Sequence, residues 1–204
     1  MTTMDVTVIV PTYNRLLVLE NVLSTIPHPK RLTIVVVKRG SRNRDCPKRL
    51  GDYKIVQTDP AGAYVKAVQD GIEHAKTKLV LISNDDCEME PDTIGCATAA
   101  YYHLFGYGDG VIGLNHGDKW RHLACMALMS KKFYMEQCWP MPYHHYCADN
   151  EWTTKAVSMG CYGRCLKAVV HHEFGEHVEP WHTNDWKLFP ERIANWRLKY
   201  GCIA

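Results

Sequence analysis

Four short apolar runs constrain the first half of this chain more than anything else in it: VTVIV (6–10), LTIVVV (32–37), YKIVQ (53–57) and KLVLIS (78–83). Strands that are apolar on both sides have both faces covered, which is the habit of parallel sheets. Between the runs the period changes to that of a helix. Around RLLVLENVLST, Leu16, Leu19, Val22, Leu23 and Ile26 fall on one stripe. Asn14 is placed to cap that helix, and Pro27 and Pro29 to end it. Asp59 followed by Pro60 reads as a second helix start, with Val65, Val68 and Ile72 buried along a helix to about Lys76. A β-α-β-α-β order of this kind predicts an α/β fold with a mostly parallel sheet, helices on its faces and right-handed crossovers.

Ligands of such sheets bind outside the carboxyl ends of the strands. Three polar segments fall there: PTYNR after the first strand, a basic stretch after the second, and Asn84-Asp85-Asp86 after the fourth. Adjacent carboxylates repel one another and resist leaving water. The triplet is therefore either a solvated turn or a seat for a cation.

The second half is less regular. Pro91 and Asp92 open a helix to about Tyr102, and DGVIGL and LACMALMS read as strands. DNEWTTKAVSMG (149–160) reads as a helix, CLKAVVHHEF as a strand ending in paired histidines, and PERIANWRLKY as a closing helix. No repeat or low-complexity linker divides the 204 residues, which suit one compact domain.

The net charge of +2 gives no global field toward nucleic acid or membrane. Eight lysines and arginines nevertheless crowd positions 30–49 against a single acid, Asp45. Such a run is usually a solvated face, but Lys38, Arg39, Arg42 and Arg44 follow the second strand and face the predicted cleft. There they would grip a diphosphate or a polyanionic acceptor. The nine cysteines contain no CxxC pair, and read as free thiols of a reducing cytoplasm. A structural zinc site from Cys147, Cys161 and Cys165 is the weaker alternative. No signal peptide is evident, and no run approaches the roughly 20 apolar residues that span a bilayer.

VTVIVPTYNR, LVLISNDDCEMEPDT, ADNEWTTKAVSMG and VVHHEF, in that order, resemble family 2 glycosyltransferases of the GT-A fold over roughly residues 5–174. The resemblance implies a metal-dependent, inverting transfer of a sugar from a nucleotide-sugar to an acceptor hydroxyl. It divides the domain into a nucleotide-sugar half, about 1–92, and an acceptor and catalytic half, about 93–204. Pro11, Thr12 and Tyr13 would line the nucleotide pocket, with Arg15, Lys38, Arg39, Asn84 and Asp85 also on the donor side. Asp86 takes the last place of a DXD-like motif and would bind Mn²⁺ or Mg²⁺; His171 would complete the metal site, with His172 as its substitute. Asp149 would be the general base and Glu151 the alternate. Where many relatives read VDDGS this chain reads VKRGS, so Lys38 and Arg39 replace two acids and the donor base is left open.

Chemistry agrees with these roles. A divalent cation offsets charge on a departing diphosphate, and one or two carboxylates suffice to hold it. Plainer readings stand beside them: a solubilising turn for the triplet, an N-cap for Asp149, a loop pair for the histidines. Trp181, Trp186 and Tyr143 can stack on a sugar or build core. A nucleic-acid acceptor, such as a modified base on DNA, fits the basic run. A nucleotidyltransferase or an inactive nucleotide-sugar-binding module are the competing functions; the first normally carries a glycine-rich loop after strand one, which PTYNRL lacks.

Overall fold

The structure is a computed structural model describing residues 6–13, 15–26, 32–39, 54–58, 64–117, 122–172 and 182–200. Eight strands form one sheet: β1 (Val6–Tyr13), β2 (Leu32–Arg39), β3 (Lys54–Gln57), β4 (Leu79–Ile82), β5 (Cys87–Met89), β6 (Val111–Asn115), β7 (Ala127–Ser130) and β8 (Tyr162–His172). Their order is β3-β2-β1-β4-β7-β6-β8-β5. The four strands read from the apolar runs are parallel to one another. β1 and β4 are buried on both faces, whereas β3 lies at the sheet edge with Val56 as its one buried residue. β7 runs antiparallel to both β4 and β6, β6 and β8 are parallel, and β5 closes antiparallel on β8.

Strand alternation sorts the core into two layers. Val6, Val8, Val10, Leu79, Leu81 and Leu128 face helices α1 (Leu16–Thr25) and α3 (Thr93–Phe105). Ile9, Val80, Ile82, Val111 and Met129 face α2 (Tyr64–His74) and α5 (Ala148–Ser158). All four residues of β4 are fully buried between these layers, each of them worth about 1.5–3 kcal/mol of burial. The short α4 (Lys131–Phe133) runs into a π-helical turn (Tyr134–Cys138), and α6 (His182–Tyr200) packs beside α5.

Two features shape the cleft. In a flat sheet, β4 and β5 would lie about 19 Å apart, four strand spacings. The chain joins them through residues 83–86, in a turn closed by the Cys87 N–H to the Asn84 carbonyl at 3.3 Å. The sheet must therefore curl, and the acidic triplet lies in the mouth of the curl. Pro11 supplies no ladder N–H, and β1 stops pairing with β4 after Ile9. The sheet opens on the β4 side of Thr12, which stays paired to β2.

Several expectations need correction. Lys38 and Arg39 belong to β2, opposite Thr12 and Tyr13, and not to a loop. The α1 N-cap is Arg15; the expected cap Asn14, the Asp59-Pro60 helix start and residues 40–50 lie outside the described residues. β7 begins at Ala127 rather than Leu123. Instead of a ladder partner, the Ala124 backbone meets the Thr153 hydroxyl at 3.0 Å and the Trp152 indole at 2.9 Å. α6 starts eight residues before Pro190, which rides on its exposed side. β5 and the π turn were not anticipated: three residues are too few to display a period.

Candidate active site

The Asn84–Asp86 turn is held from three directions. Thr12 Oγ1 donates to Asp85 Oδ2 at 2.8 Å, and Arg15 Nη1 bridges Asp85 Oδ1 at 3.1 Å and Asp86 Oδ2 at 3.2 Å. This guanidinium relieves the repulsion that makes paired carboxylates costly. Asp85 is the buried member, saturated by these protein partners; Asp86 is the more exposed and keeps Oδ1 for the opposite side.

On that side stands His172, its Nε2 3.1 Å from Asp86 Oδ1. The register explains why it is this histidine. Cys87 pairs with His172 and Glu88 with His171, so consecutive histidines point to opposite faces. His171, 65% exposed, turns away and meets Glu90 at 3.2 Å, whereas His172 is 13% exposed. The structure thus brings the second histidine to the triplet, not the first. β8 carries a register shift opposite Leu114 and Asn115, ahead of its last residues, an irregularity of the kind that re-aims side chains at a strand end. Burial raises the Asp86 carboxyl, but hydrogen bonding and charge from His172, joined by Arg15, outweigh it and hold the group below its ordinary range. Asp86 is ionised at neutral pH.

Asp149 lies in the first turn of α5, where its charge, like that of Asp86, acts on the Tyr64 hydroxyl. Its N-cap residue, Cys147, adopts a left-handed φ of 66°, rare for a side chain with a Cβ and a sign that the turn is held by its surroundings. Asp149 is half-buried; Cys125 Sγ approaches Oδ2 at 3.2 Å and the Asn150 N–H donates to Oδ1 at 2.9 Å. It does not cap the helix: the α5 N-cap makes no side-chain bond. Burial raises its carboxyl above the ordinary value despite the Cys125 and backbone hydrogen bonds. A carboxylate tuned upward in a cleft has the profile of a general base.

Tyr64, at the start of α2, joins the two halves. Its hydroxyl donates to Asn84 Oδ1 at 2.6 Å, and its ring lies against His145 at a centroid distance of 5.2 Å. Burial, followed by the charges of Cys87, Asp149 and Asp86, keeps the phenol well above its usual pKa, so it stays a donor. Sequence reading missed Tyr64, Cys125 and His116: each is an ordinary core type, and only packing brings them beside the carboxylates. The buried Asp185 of α6 accepts the backbone N–H groups of His144, His145 and Tyr146 at 2.9–3.0 Å, pinning the segment that leads into α5. Beside His172, residues 115–117 and 169–172 line an open cavity of about 370 Å³. His116, buried and with its imidazole pKa lowered by that burial, forms its inner wall.

Glu151 leaves the list of candidate bases. It is fully buried, and both its oxygens are consumed: Arg192 Nε and Tyr143 reach Oε2 at 2.7 and 2.6 Å, Arg192 Nη2 reaches Oε1 at 2.8 Å, and Lys155 also pairs with Oε1. Burial raises its carboxyl, but Arg192, Lys155 and Tyr143 more than offset this and hold it low. Its role is to tie α5 to α6. Glu151→Gln should lower stability by about 3 kcal/mol, by stranding Arg192 and Lys155, and a thermal melt reads it directly. Because the folded carboxyl is depressed, the wild-type contribution is present above its unfolded pKa and fades as pH falls through the folded one.

The Lys38, Arg39 and Tyr13 side chains lie outside the described residues, although their backbones sit at the sheet edge next to Thr12. The seven described cysteines form no disulfide, and Cys147, Cys161 and Cys165 build no metal cluster among the described residues. No described helix is long and apolar enough to cross a membrane.

Comparison with known proteins bears on the fold and the family. No curated protein matches the chain in sequence. Among solved structures, residues 1–349 of S. aureus TarS superpose with a TM-score of 0.72 at 17% identity, over 96% of this chain and 66% of that one. The same fragment in complex with UDP-GlcNAc gives 0.71 at 16% identity, over 94% and 67%. The mannosyltransferase PcManGT from Pyrobaculum calidifontis, in complex with GDP-Man and Mn²⁺, gives 0.65 at 18% identity, over 99% and 67%. The chain thus spans about two thirds of these structures and 40% of a longer TarS chain. The curled sheet with its flanking helices is that of GT-A enzymes, and the profile described as Glycosyl transferase family 2 matches residues 7–157. On that match over most of its length, the chain belongs to glycosyl transferase family 2 and is a glycosyltransferase.

Proposed function

We propose that this enzyme moves a sugar, with inversion, from a nucleotide-sugar to an acceptor hydroxyl, using a divalent cation held by Asp86 and His172. The observation that carries the reading is the convergence of Asp86 Oδ1 and His172 Nε2, 3.1 Å apart, in a cleft faced by Asp149. A carboxylate and an imidazole fit Mn²⁺, and fit Mg²⁺ less well because of the nitrogen donor. When bound, the ion supplies charge stabilisation for the departing diphosphate. It is supported by the Mn²⁺ and GDP-Man in the mannosyltransferase of the same fold.

The chain's own residues account for the rest. Pro11, Thr12 and Tyr13 line the nucleotide side at the end of β1, with Lys38 and Arg39 adjacent on β2. Arg15 neutralises Asp85 and Oδ2 of Asp86, so the turn presents Oδ1 of Asp86 toward His172. Tyr64 fixes Asn84 and so the turn. Asp149 accepts the proton of the attacking acceptor hydroxyl, and its raised pKa makes it a stronger base than an ordinary carboxylate. The cavity beside His116 and His172 is the acceptor's side of the cleft. The basic segment at 30–49 favours a polyanionic acceptor, of which DNA is one.

Thermal shift tests the donor half. UDP and GDP, each with and without Mn²⁺, should separate: one base raises the melting point only when Mn²⁺ is present, by mass action on the native state. Equal shifts with and without the ion would remove metal dependence from the proposal. Release of nucleoside diphosphate from the matching sugar nucleotide supports transfer; pyrophosphate would point to nucleotidyl transfer, and no turnover to a binding module.

A further inference from the structure

We propose that Cys87 joins Asp86 and His172 in a three-donor site that takes zinc or cobalt more tightly than manganese, and that zinc bound there inhibits transfer. The inference rests on the metal-centre reading of Asp86 and His172 and adds a thiol donor to it. Cys87 and His172 are direct cross-strand partners in the β5–β8 ladder, so their side chains leave the sheet on one face. Cys87 Sγ lies 3.8 Å from Asp86 Oδ1, and the carboxylate, thiol and imidazole donor atoms all fall within 4.8 Å of one another.

A tetrahedral zinc with bonds of about 2.3 Å to sulfur and about 2.0–2.2 Å to nitrogen and oxygen spaces its donors about 3.3–3.6 Å apart. The site reaches that with side-chain movement of about 1 Å. Arg15 does not compete, because it occupies Oδ2 and the site uses Oδ1. Binding displaces the thiol proton to solvent and forms a metal–thiolate bond. Thiolate donors and the Irving–Williams order both favour zinc over manganese.

The same coordination explains inhibition. Three protein donors leave a four-coordinate zinc one open position. A six-coordinate Mn²⁺ or Mg²⁺ held by Asp86 and His172 would keep more positions open for the donor. Without a metal, Cys87 is a buried thiol against Met126, its Sγ 3.6 Å from the thioether sulfur. Packing alone would explain that position, and a spectrum tells packing from ligation.

Cobalt(II) titrated into the reduced wild-type protein should produce one equivalent of thiolate-to-cobalt charge-transfer absorption in the near ultraviolet. Cys87→Ser should lose that band and weaken zinc binding by at least about tenfold, while Cys125→Ser, altering the other thiol of the cleft, should keep the band. Zinc should expel bound Mn²⁺, read as return of the free-ion signal in electron paramagnetic resonance. Cobalt binding to the wild type without the band, or a band surviving Cys87→Ser, overturns the thiol site whatever the fate of the variants. Manganese resonance tests the parent reading separately. A band without any Mn²⁺ binding would leave the thiol site standing and remove the manganese centre, and Mn²⁺ binding without a band would do the reverse.

Discussion

On the proposed metal-centre reading, Asp86→Ala should lower Mn²⁺-dependent release of nucleoside diphosphate by about 10³-fold, equivalent to about 4 kcal/mol of transition-state stabilisation. The size follows from where Asp86 stands. Of the triplet it is the residue with an oxygen facing His172, while Asp85 is spent on Thr12 and Arg15 and Asn84 on Tyr64. Among the described residues the next acid, Glu88, cannot replace it, because it shares β5 but pairs with His171 on the opposite face. The ion should depart with the activity, so Mn²⁺ ought no longer to raise the melting point of the variant. A matching acid dependence is expected in the wild type. Asp86 is held ionised below the ordinary carboxylate range, so its pairing with His172 and Arg15 adds stability above the unfolded pKa. That contribution drops away as pH falls through the folded pKa. An Asp86→Ala enzyme within tenfold of wild type would end the metal-centre assignment.

Asp149→Asn should lose about 10⁴-fold in kcat while making the protein more stable at neutral pH. The two effects have one origin. Burial raises the Asp149 carboxyl, so its ionised form is costly in the folded state and strong as a base. For an acid whose folded pKa lies above its unfolded one, the native state holds the proton longer. Stability therefore declines as pH rises from the unfolded to the folded pKa, and stays lower beyond it. Asparagine escapes that cost. The melting point of Asp149→Asn should exceed wild type above the folded pKa and converge with it in acid, while the acid limb of wild-type kcat against pH marks the same group. A variant that is both inactive and destabilised at neutral pH would instead make Asp149 a structural residue. Glu151 provides the contrast two positions away, since its carboxyl is depressed and its loss should destabilise.

Legibility in the sequence followed the range of the physical signal. The central strands β1 and β4 were readable because two-sided burial leaves an unbroken apolar run, and α1 because its stripe repeats every turn. The triplet was readable because adjacent charges at a strand end are costly without a purpose. β5 was not, because three residues carry no period, yet β5 sets the register that selects His172 over His171. Lys38 and Arg39 were assigned to a loop because charge usually ends a buried strand, but β2 continues to Arg39 along its neighbour β1. Glu151 and Asp149, both acids in the first turn of one helix, could not be told apart by composition. Arg192, forty-one residues later, claims the first and leaves the second in the cleft.

Local order alone thus carried the fold class, the sheet edge where ligands gather and the acidic turn placed there, since each depends on residues close together along the chain. Which histidine meets Asp86, which acid of α5 is tied up by Arg192, and the presence of Tyr64, Cys125 and Cys87 beside them depended on strand register and helix packing between segments far apart in sequence. Those contacts exist only once the sheet has curled and the two layers have closed on it, because no local pattern records what a distant segment will bring.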